Sequence, residues 1–511
     1  MTEDEIGTVV SSLNGPSPMD VDFVVTHGTV HRGQFVEIPY SEGTLVALVT
    51  NVLKTNRYFE RPDSVKELES SGKRLFEQFP SSEWEYLIAQ TRVLGVFDAG
   101  IVKRSTFPPS PGTRVAIASS EKLKLFLGFD MENGLQWGEM ENHNLEVKIN
   151  LSRLLRRHVA VLAQSGSGKS VAVKSLIEEI LSRTPEQGRL AVVVMDPHGE
   201  YTNFAESKPV GFSDYSHQTR VVTGRDVKIG VPSLDVGLIA SMVSGLSAPQ
   251  QRELKKILSA LRSEMKSGLG PFDFAAVKSA IASDAEIKGE TQKILLSWIL
   301  TLEEMHLFSK TDLPSIADMT RPGQLTVVDL SDIVDMKKKQ LVVSFFSKKL
   351  FSERMKKHVP PFVLVIEEAH QFCPAQAKEE RAISKTIIEQ IAREGRKFGA
   401  SLCLVSQRPV NLSTTALANC GTHLILRITN PYDLKHIGES SEGIDSQSER
   451  MITTLRVGEA LLVGEAVNYP LFFKVRRNRS APSRHEVSLE ESARQFEETR
   501  RETESEADAF L

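Results

Sequence analysis

HVAVLAQSGSGKSVAVKSLIEEIL, residues 158–181, decides the fold. An apolar run, His158 to Gln164, enters Ser165-Gly166-Ser167-Gly168-Lys169-Ser170 and leaves as a helix-patterned segment. This is the strand, loop, helix context that a phosphate-binding P-loop requires. Gly166 and Gly168 let the backbone bend so that its N–H groups converge on a β-phosphate, with the dipole of the following helix behind them. Lys169 is spaced to reach the β- and γ-phosphates of ATP, and Ser170 to ligate Mg²⁺. The first glycine of the GxxxxGK[ST] pattern is Ala163 here. A methyl group is tolerable there at negative φ.

Outward from this segment the same texture recurs. RLAVVVMD (189–196), QLTVVDL (324–330), PFVLVIEE (361–368), SLCLVSQ (401–407) and HLILRI (423–428) are near-continuous Val, Ile and Leu. Such runs belong to parallel strands covered on both faces, so the class is α/β with a mainly parallel sheet. Residues 233–310 lack strand patterning but carry helical periodicity, as in PQQRELKKILSALRSEM and ETQKILLSWILTLEEMHLF, which predicts an inserted helical subdomain. Before residue 140, the runs IGTVV, DFVVT, QFVEIPY and GTLVALVTNV predict a small antiparallel barrel or sandwich. SVKELESSGKRLFEQF reads as a helical excursion, EYLIAQTRVLGVF as a return to the barrel, and TFPPSPGTRV as punctuation near residue 110. The expected division is therefore a barrel at 1–140, an ATPase core at 141–232 and 311–480, the helical insertion at 233–310, and a tail at 481–511. The tail has nine acidic against four basic side chains and reads as mobile or as a solvated helix.

At 511 residues with 25% charged side chains, the chain is multidomain and globular rather than disordered or disulfide-stapled. A net charge of −4 gives no whole-surface attraction to nucleic acid. DNA binding would need a local basic surface, such as the lining of a ring. No apolar run reaches membrane-spanning length and the N-terminus has no signal pattern, so the expectation is a soluble cytoplasmic protein without a membrane partner. The three cysteines, Cys373, Cys403 and Cys420, have no CxxC spacing. They support neither a disulfide framework nor a zinc ribbon.

A P-loop hydrolase needs a carboxylate at a strand end to hold the metal and another to orient the attacking water. VLVIEEAH supplies Glu367 for the first role and Glu368 for the second; the competing reading is a helix N-terminus that favours acids. Asp196 and Glu200, in DPHGEY, end a strand on the same edge and either join the Mg²⁺ shell or belong to an ordinary polar loop. Gln407 ends SLCLVSQ and is either a γ-phosphate sensor or a strand cap. Arg396, in REGRK, is either a helix-dipole partner or an arginine finger for a neighbouring subunit, and Arg157 is equally two-sided. Lys378 and Arg381, in a loop after the acidic pair, are candidate DNA phosphate contacts. His370 and Cys373 lack further ligands at metal spacing. The lysines at 337–339 read as a solvated helix face, and Arg476, Arg477 and Arg479 as a solvated end.

In their order, an N-terminal barrel, RRHVAVLAQSGSGKS, VVMDPHGEY, VLVIEEAHQF, IAREGRKFGASLCLVSQRP and LRITNPYD resemble the HerA family of hexameric DNA translocases within the FtsK-HerA group. The resemblance runs from about residue 5 to 475. It implies a RecA-like P-loop ATPase core, an N-terminal barrel of the HAS type and an inserted helical bundle. It further implies an ATP site at each subunit interface of a homohexamer, with Lys169 and Ser170 as the P-loop pair, Glu367 and Glu368 as the acidic pair, Asp196 and Glu200 as the DPHGEY acids and Gln407 as the sensor. Arg396 and Arg157 take the finger reading. The implied function is movement of double-stranded DNA through the pore, with a NurA-like nuclease on the barrel face during DNA-end resection in double-strand break repair. The implied location is the nucleoid when the ring is on DNA. The alternatives are a ring ATPase moving another polymer, or a ring scaffold for a defence effector.

Overall fold

The computed structural model describes residues 5–11, 15–56, 59, 61–70, 84–206, 211–242, 245–287, 289–375, 382–441, 443–482, 490–494, 496–498 and 500. The chain divides into two compact units, one of residues 1–153, 442–455 and 459–475 and another of 154–441, 456–458 and 476–511.

In the first unit, β1 (Glu5–Val9), β2 (Asp20–Val25), β3 (Phe35–Tyr40), β4 (Gly43–Asn56), β5 (Glu85–Asp98), β6 (Ile101–Lys103) and β7 (Arg114–Ile117) form one antiparallel sheet. Its order is β2-β1-β7-β3-β4-β5-β6, and a β2–β5 pairing closes six of the strands into a barrel with β6 appended. Closure removes the free edges that a short open sheet would expose. Val21, Phe23, Val36, Ile38, Leu45, Ala47, Val49, Ala89 and Val115 fill the interior, each large side chain stabilising by about 1.5–3 kcal/mol through burial. The helical excursion begins at Pro62–Ser70, and 71–83 lie outside the described residues.

The same unit contains an antiparallel sheet of β8 (Leu135–Met140), β9 (Leu145–Ile149), β19 (Glu459–Gly464) and β20 (Leu471–Val475). These compact units cut the chain elsewhere than the expected division does. Residues 459–475 group with the barrel unit because β20 pairs antiparallel with β8, a long-range partner that no local pattern announces.

The second unit is built on β10 (Val159–Leu162), β11 (Ala191–Asp196), β12 (Thr219–Thr223), β15 (Leu325–Asp329), β16 (Phe362–Ile366), β17 (Ala400–Ser406) and β18 (Thr422–Leu426). A short pair, β13 (Ile229–Gly230) with β14 (Phe308–Ser309), lies apart. The main order is β12-β15-β11-β16-β17-β10-β18, every neighbour parallel. β10, β16, β17 and β18 are buried at every position, as their unbroken apolar runs require. The chain passes from β10 to β11 over β17 and β16, so the ends of these strands open a crevice where α/β sheets bind ligands. Helices Val236–Met242, Ala248–Glu264, Phe274–Ser283 and Gly289–Glu303 make up the insertion, packed through Leu254, Leu258, Val277, Ile281, Leu295 and Ile299. No described helix is long and apolar enough to cross a membrane.

Candidate nucleotide site

β10 ends in the phosphate loop and the helix Lys169–Leu181 follows at once. Gly166 and Gly168 take φ of 74° and 101°, which glycine alone adopts without strain. At Gly168 a Cβ would also press on the Gly458 backbone nitrogen at 3.3 Å. Ala163 avoids positive φ and donates its N–H to Ser406 O at 3.2 Å, so its methyl group costs nothing. Ser165 and Gly166 are exposed and Ser167 is buried; the Ser167 hydroxyl donates to Gln164 O at 2.6 Å and stiffens the loop.

The adjacent ends of β16 and β17 bring the acids to the lysine. Lys169 Nζ donates to Glu367 Oε1 and, at 2.6 Å, to Glu368 Oε1, with side-chain exposures of 7%, 0% and 3% respectively. Gln407 donates its amide to the same Glu368 oxygen. Glu368 stands at the N-cap of the short helix Ala369–Phe372 but its side chain makes no cap bond there, and Gln407 meets an acid rather than closing its own strand. Glu368 takes φ 49° and ψ 45°, a left-handed conformation costing about 1–3 kcal/mol that persists where surroundings impose it, as at functional sites.

Burial lifts the Glu367 carboxyl to about 7 even though Lys169 draws it down. Burial also opposes the Glu368 charge, but there Lys169 and Gln407 outweigh it and hold that carboxyl below its usual range. Lys169 itself is held above the usual lysine range because the two glutamates overcome its burial. One cation thus serves two buried carboxylates.

The DPHGEY loop divides its acids between two tasks. Asp196, fully buried, accepts from the N–H groups of Gly199 and Tyr201 at 2.9 Å and of His198 at 3.2 Å. It therefore shapes the loop, and both of its oxygens are taken by backbone. Glu200 accepts from the Ser170 hydroxyl and is the acid of this loop that faces the P-loop. Tyr201, which the sequence reading did not single out, donates its hydroxyl to Glu367 Oε2 at 2.8 Å. His370, set aside on metal spacing, stands 3.3 Å from Glu368 Oε2 and 3.1 Å from Ser406 Oγ. Among the described residues there is no cluster of metal-ligating side chains of the His, Cys, Asp and Glu kind. The three cysteines are free and buried.

Arg157 and Arg396 lie on the other edge of the sheet. They precede β10 and β17, which run parallel with Val159 beside Cys403, whereas Lys169, Glu368 and Gln407 follow the far ends of the same strands and of β16. The seven residues of β17 span about 20 Å. Arg396 is exposed on a turn fixed from below by His158, whose ring accepts from Leu402 N and donates to Ala392 O, each at 3.0 Å. Gly395 fits because a Cβ there would lie 2.4 Å from Ala400 O and 3.1 Å from the His158 ring.

Two basic groups differ from their solvated reading. Lys339 is buried, not on a wet helix face. Arg476 is anchored, bonding Glu178 at 2.7 Å and Glu179 at 3.0 Å, whereas Arg479 reaches Glu179 at 3.0 Å but stays exposed, as Arg477 does. Both acids sit on the helix Lys169–Leu181, facing the returning chain. Lys378 and Arg381 lie outside the described residues.

Residues 135–350 match the family model described as the central domain of the helicase HerA. Over 483 residues the chain is 27% identical to the DNA double-strand break repair helicase HerA of Saccharolobus solfataricus, covering 91% of this chain and 92% of that one. The chain is thus similar to HerA proteins over most of its length. A probable helicase of Methanocaldococcus jannaschii is 28% identical over 471 residues, 87% of this chain and 86% of its own. Among solved structures, VirB4 of Thermoanaerobacter pseudethanolicus superposes with a TM-score of 0.53 at 15% identity, over 68% of this chain and 97% of that one. That likeness is one of fold. With its P-loop, acidic pair and parallel core, and its likeness to the HerA helicases, the chain is a P-loop ATPase.

Proposed function

We propose that this chain is an ATP-driven motor on double-stranded DNA, working as a homohexamer with a NurA-like nuclease in DNA-end resection. The observation that carries the reading is the separation within one subunit of Lys169, Glu368 and Gln407 from Arg157 and Arg396, at opposite edges of the same strands. Arginines so placed cannot complete their own site, but they suit the site of a neighbour. The HerA relatives, named as break-repair helicases over nearly their full lengths, supply the substrate class.

The residues fit ATP with Mg²⁺. The Ser170 hydroxyl meets Glu200, whose charge also bears on Glu367, and the raised Glu367 carboxyl marks buried negative charge that a cation would offset. Ser170 and Glu367 would hold the metal, which supplies charge neutralisation at the phosphates. The loop amides of 165–170 bind the phosphates and Lys169 turns from the acids toward them. Glu368, released by Lys169 and oriented by Gln407, accepts the proton of the attacking water. Arg396 and Arg157 of the adjacent subunit stabilise charge on the transferring phosphoryl group.

Steady-state ATPase with and without linear duplex DNA tests this. DNA should stimulate turnover, and Glu368→Gln should lower it by about 10²–10⁴-fold while nucleotide binding persists. Hydrolysis indifferent to DNA would remove DNA as the moved polymer and favour a scaffold or another substrate.

A further inference from the structure

Helix Met336–Met355 starts directly after a mostly exposed segment, Ser331–Asp335, whose Val334 is 98% exposed. Two consecutive residues of its first turn reach in different directions. Lys339, 8% exposed, donates to Pro197 O at 3.0 Å. Gln340 donates its amide to Gln371 O at 2.9 Å and accepts from Ile383 N at 3.4 Å. Pro197 opens the loop that presents Glu200 to Ser170 and Tyr201 to Glu367. Gln371 in turn donates its N–H to Glu368 O at 2.8 Å. One helical turn therefore touches both loops that carry the site's carboxylates, and the second contact lies one hydrogen bond from a residue held in a left-handed conformation.

Packing alone does not account for a lysine here. An apolar side chain of similar length would fill the same space without the cost of burying an ammonium group. Burial pulls the Lys339 pKa down, while Asp329, Asp196 and Asp332 oppose the fall.

We infer that Lys339 and Gln340 are positioning residues for ATP hydrolysis, holding the Glu200 loop and the Glu368 turn in register with the segment Ser331–Asp335. A load on that segment is then felt at both carboxylates. The inference rests on the reading of this site as a hydrolytic ATP site.

Lys339→Met removes the donor and keeps the length. In the full-length protein it should lower kcat by about tenfold to a hundredfold, the cost of a small misplacement at a catalytic centre, with binding of a fluorescent ATP analogue unchanged and any stimulation by duplex DNA lost. Lys339→Arg, which restores a donor, should recover most of kcat. A wild-type kcat in Lys339→Met, or an arginine variant no better than the methionine, overturns the inference. Should Lys339→Met not fold, Gln340→Met removes the donor to Gln371 without stranding a charge, and a wild-type kcat there overturns it equally. Wild-type protein that fails to hydrolyse ATP would instead bring down the hydrolytic reading and this inference with it.

Discussion

Lys169 faces Glu367 and Glu368 with one positive charge against two, and the surplus falls on Glu367. Its folded pKa of about 7 lies above the ordinary 4.5, so the folded protein binds the extra proton between those values. The Glu367 contribution to stability is complete below about pH 4.5 and is lost as pH rises through 7. Glu367→Gln should therefore gain on wild type across that window, by up to about 1.4 kcal/mol per pH unit, in chemical unfolding of the nucleotide-free protein at stepped pH. A difference that stays flat would contradict it. The acids, the lysine and Gln407 were legible because each ends or follows an apolar strand, and parallel strands bring such ends together. Tyr201 and His370 were not: each acts through a glutamate placed beside it only by tertiary packing. Asp196 and Glu200 looked alike in sequence, and only the direction of the backbone N–H groups separates them.

Among the elements, the segment after β20 is fixed by a buried cluster on the P-loop helix. Glu178 is wholly buried and accepts from Arg476, from the N–H groups of Arg479 and Ser480 and from the Ser480 hydroxyl, at 2.7–3.0 Å. Removing one partner strands a charge away from water. Arg476→Met should destabilise the protein by about 3 kcal/mol, seen as a lowered melting temperature, and an unchanged melting temperature would refute the anchoring. Arginine-rich stretches usually mark wet surface, as Arg477 and Arg479 do here, but the partner of Arg476 stands about 300 positions earlier in the chain, so local pattern reads that one residue wrongly. The core strands were readable for the opposite reason: a run such as FVLVI leaves no face for water. The grouping of 459–475 with 135–149 depends on which strands pair, and apolar runs do not say that.

Across the described residues, burial lowers the pKa of four histidines, His370 among them, and brings three to about 4. His143 in the barrel unit, and His158 and His423 in the ATPase unit, have pKa values lowered to about 4. Unfolding lets each take a proton below about pH 6.5, so stability falls as pH drops from there toward 4, by up to about 1.4 kcal/mol per unit for each group. Acid unfolding should accordingly take up several protons, and His158→Gln should reduce the number by about one; an unaltered uptake would contradict the assignment. The proposed motor adds a demand at this scale, namely that a site completed by the next subunit works only in a ring. Co-expressed Glu368→Gln and Arg396→Ala subunits test that most directly. Rings of either variant alone should be inactive, while mixed rings should regain part of the ATPase, because some interfaces pair an intact Glu368 with an intact Arg396. Mixed rings as inactive as the pure ones, or Arg396→Ala rings that hydrolyse at the wild-type rate, would contradict it.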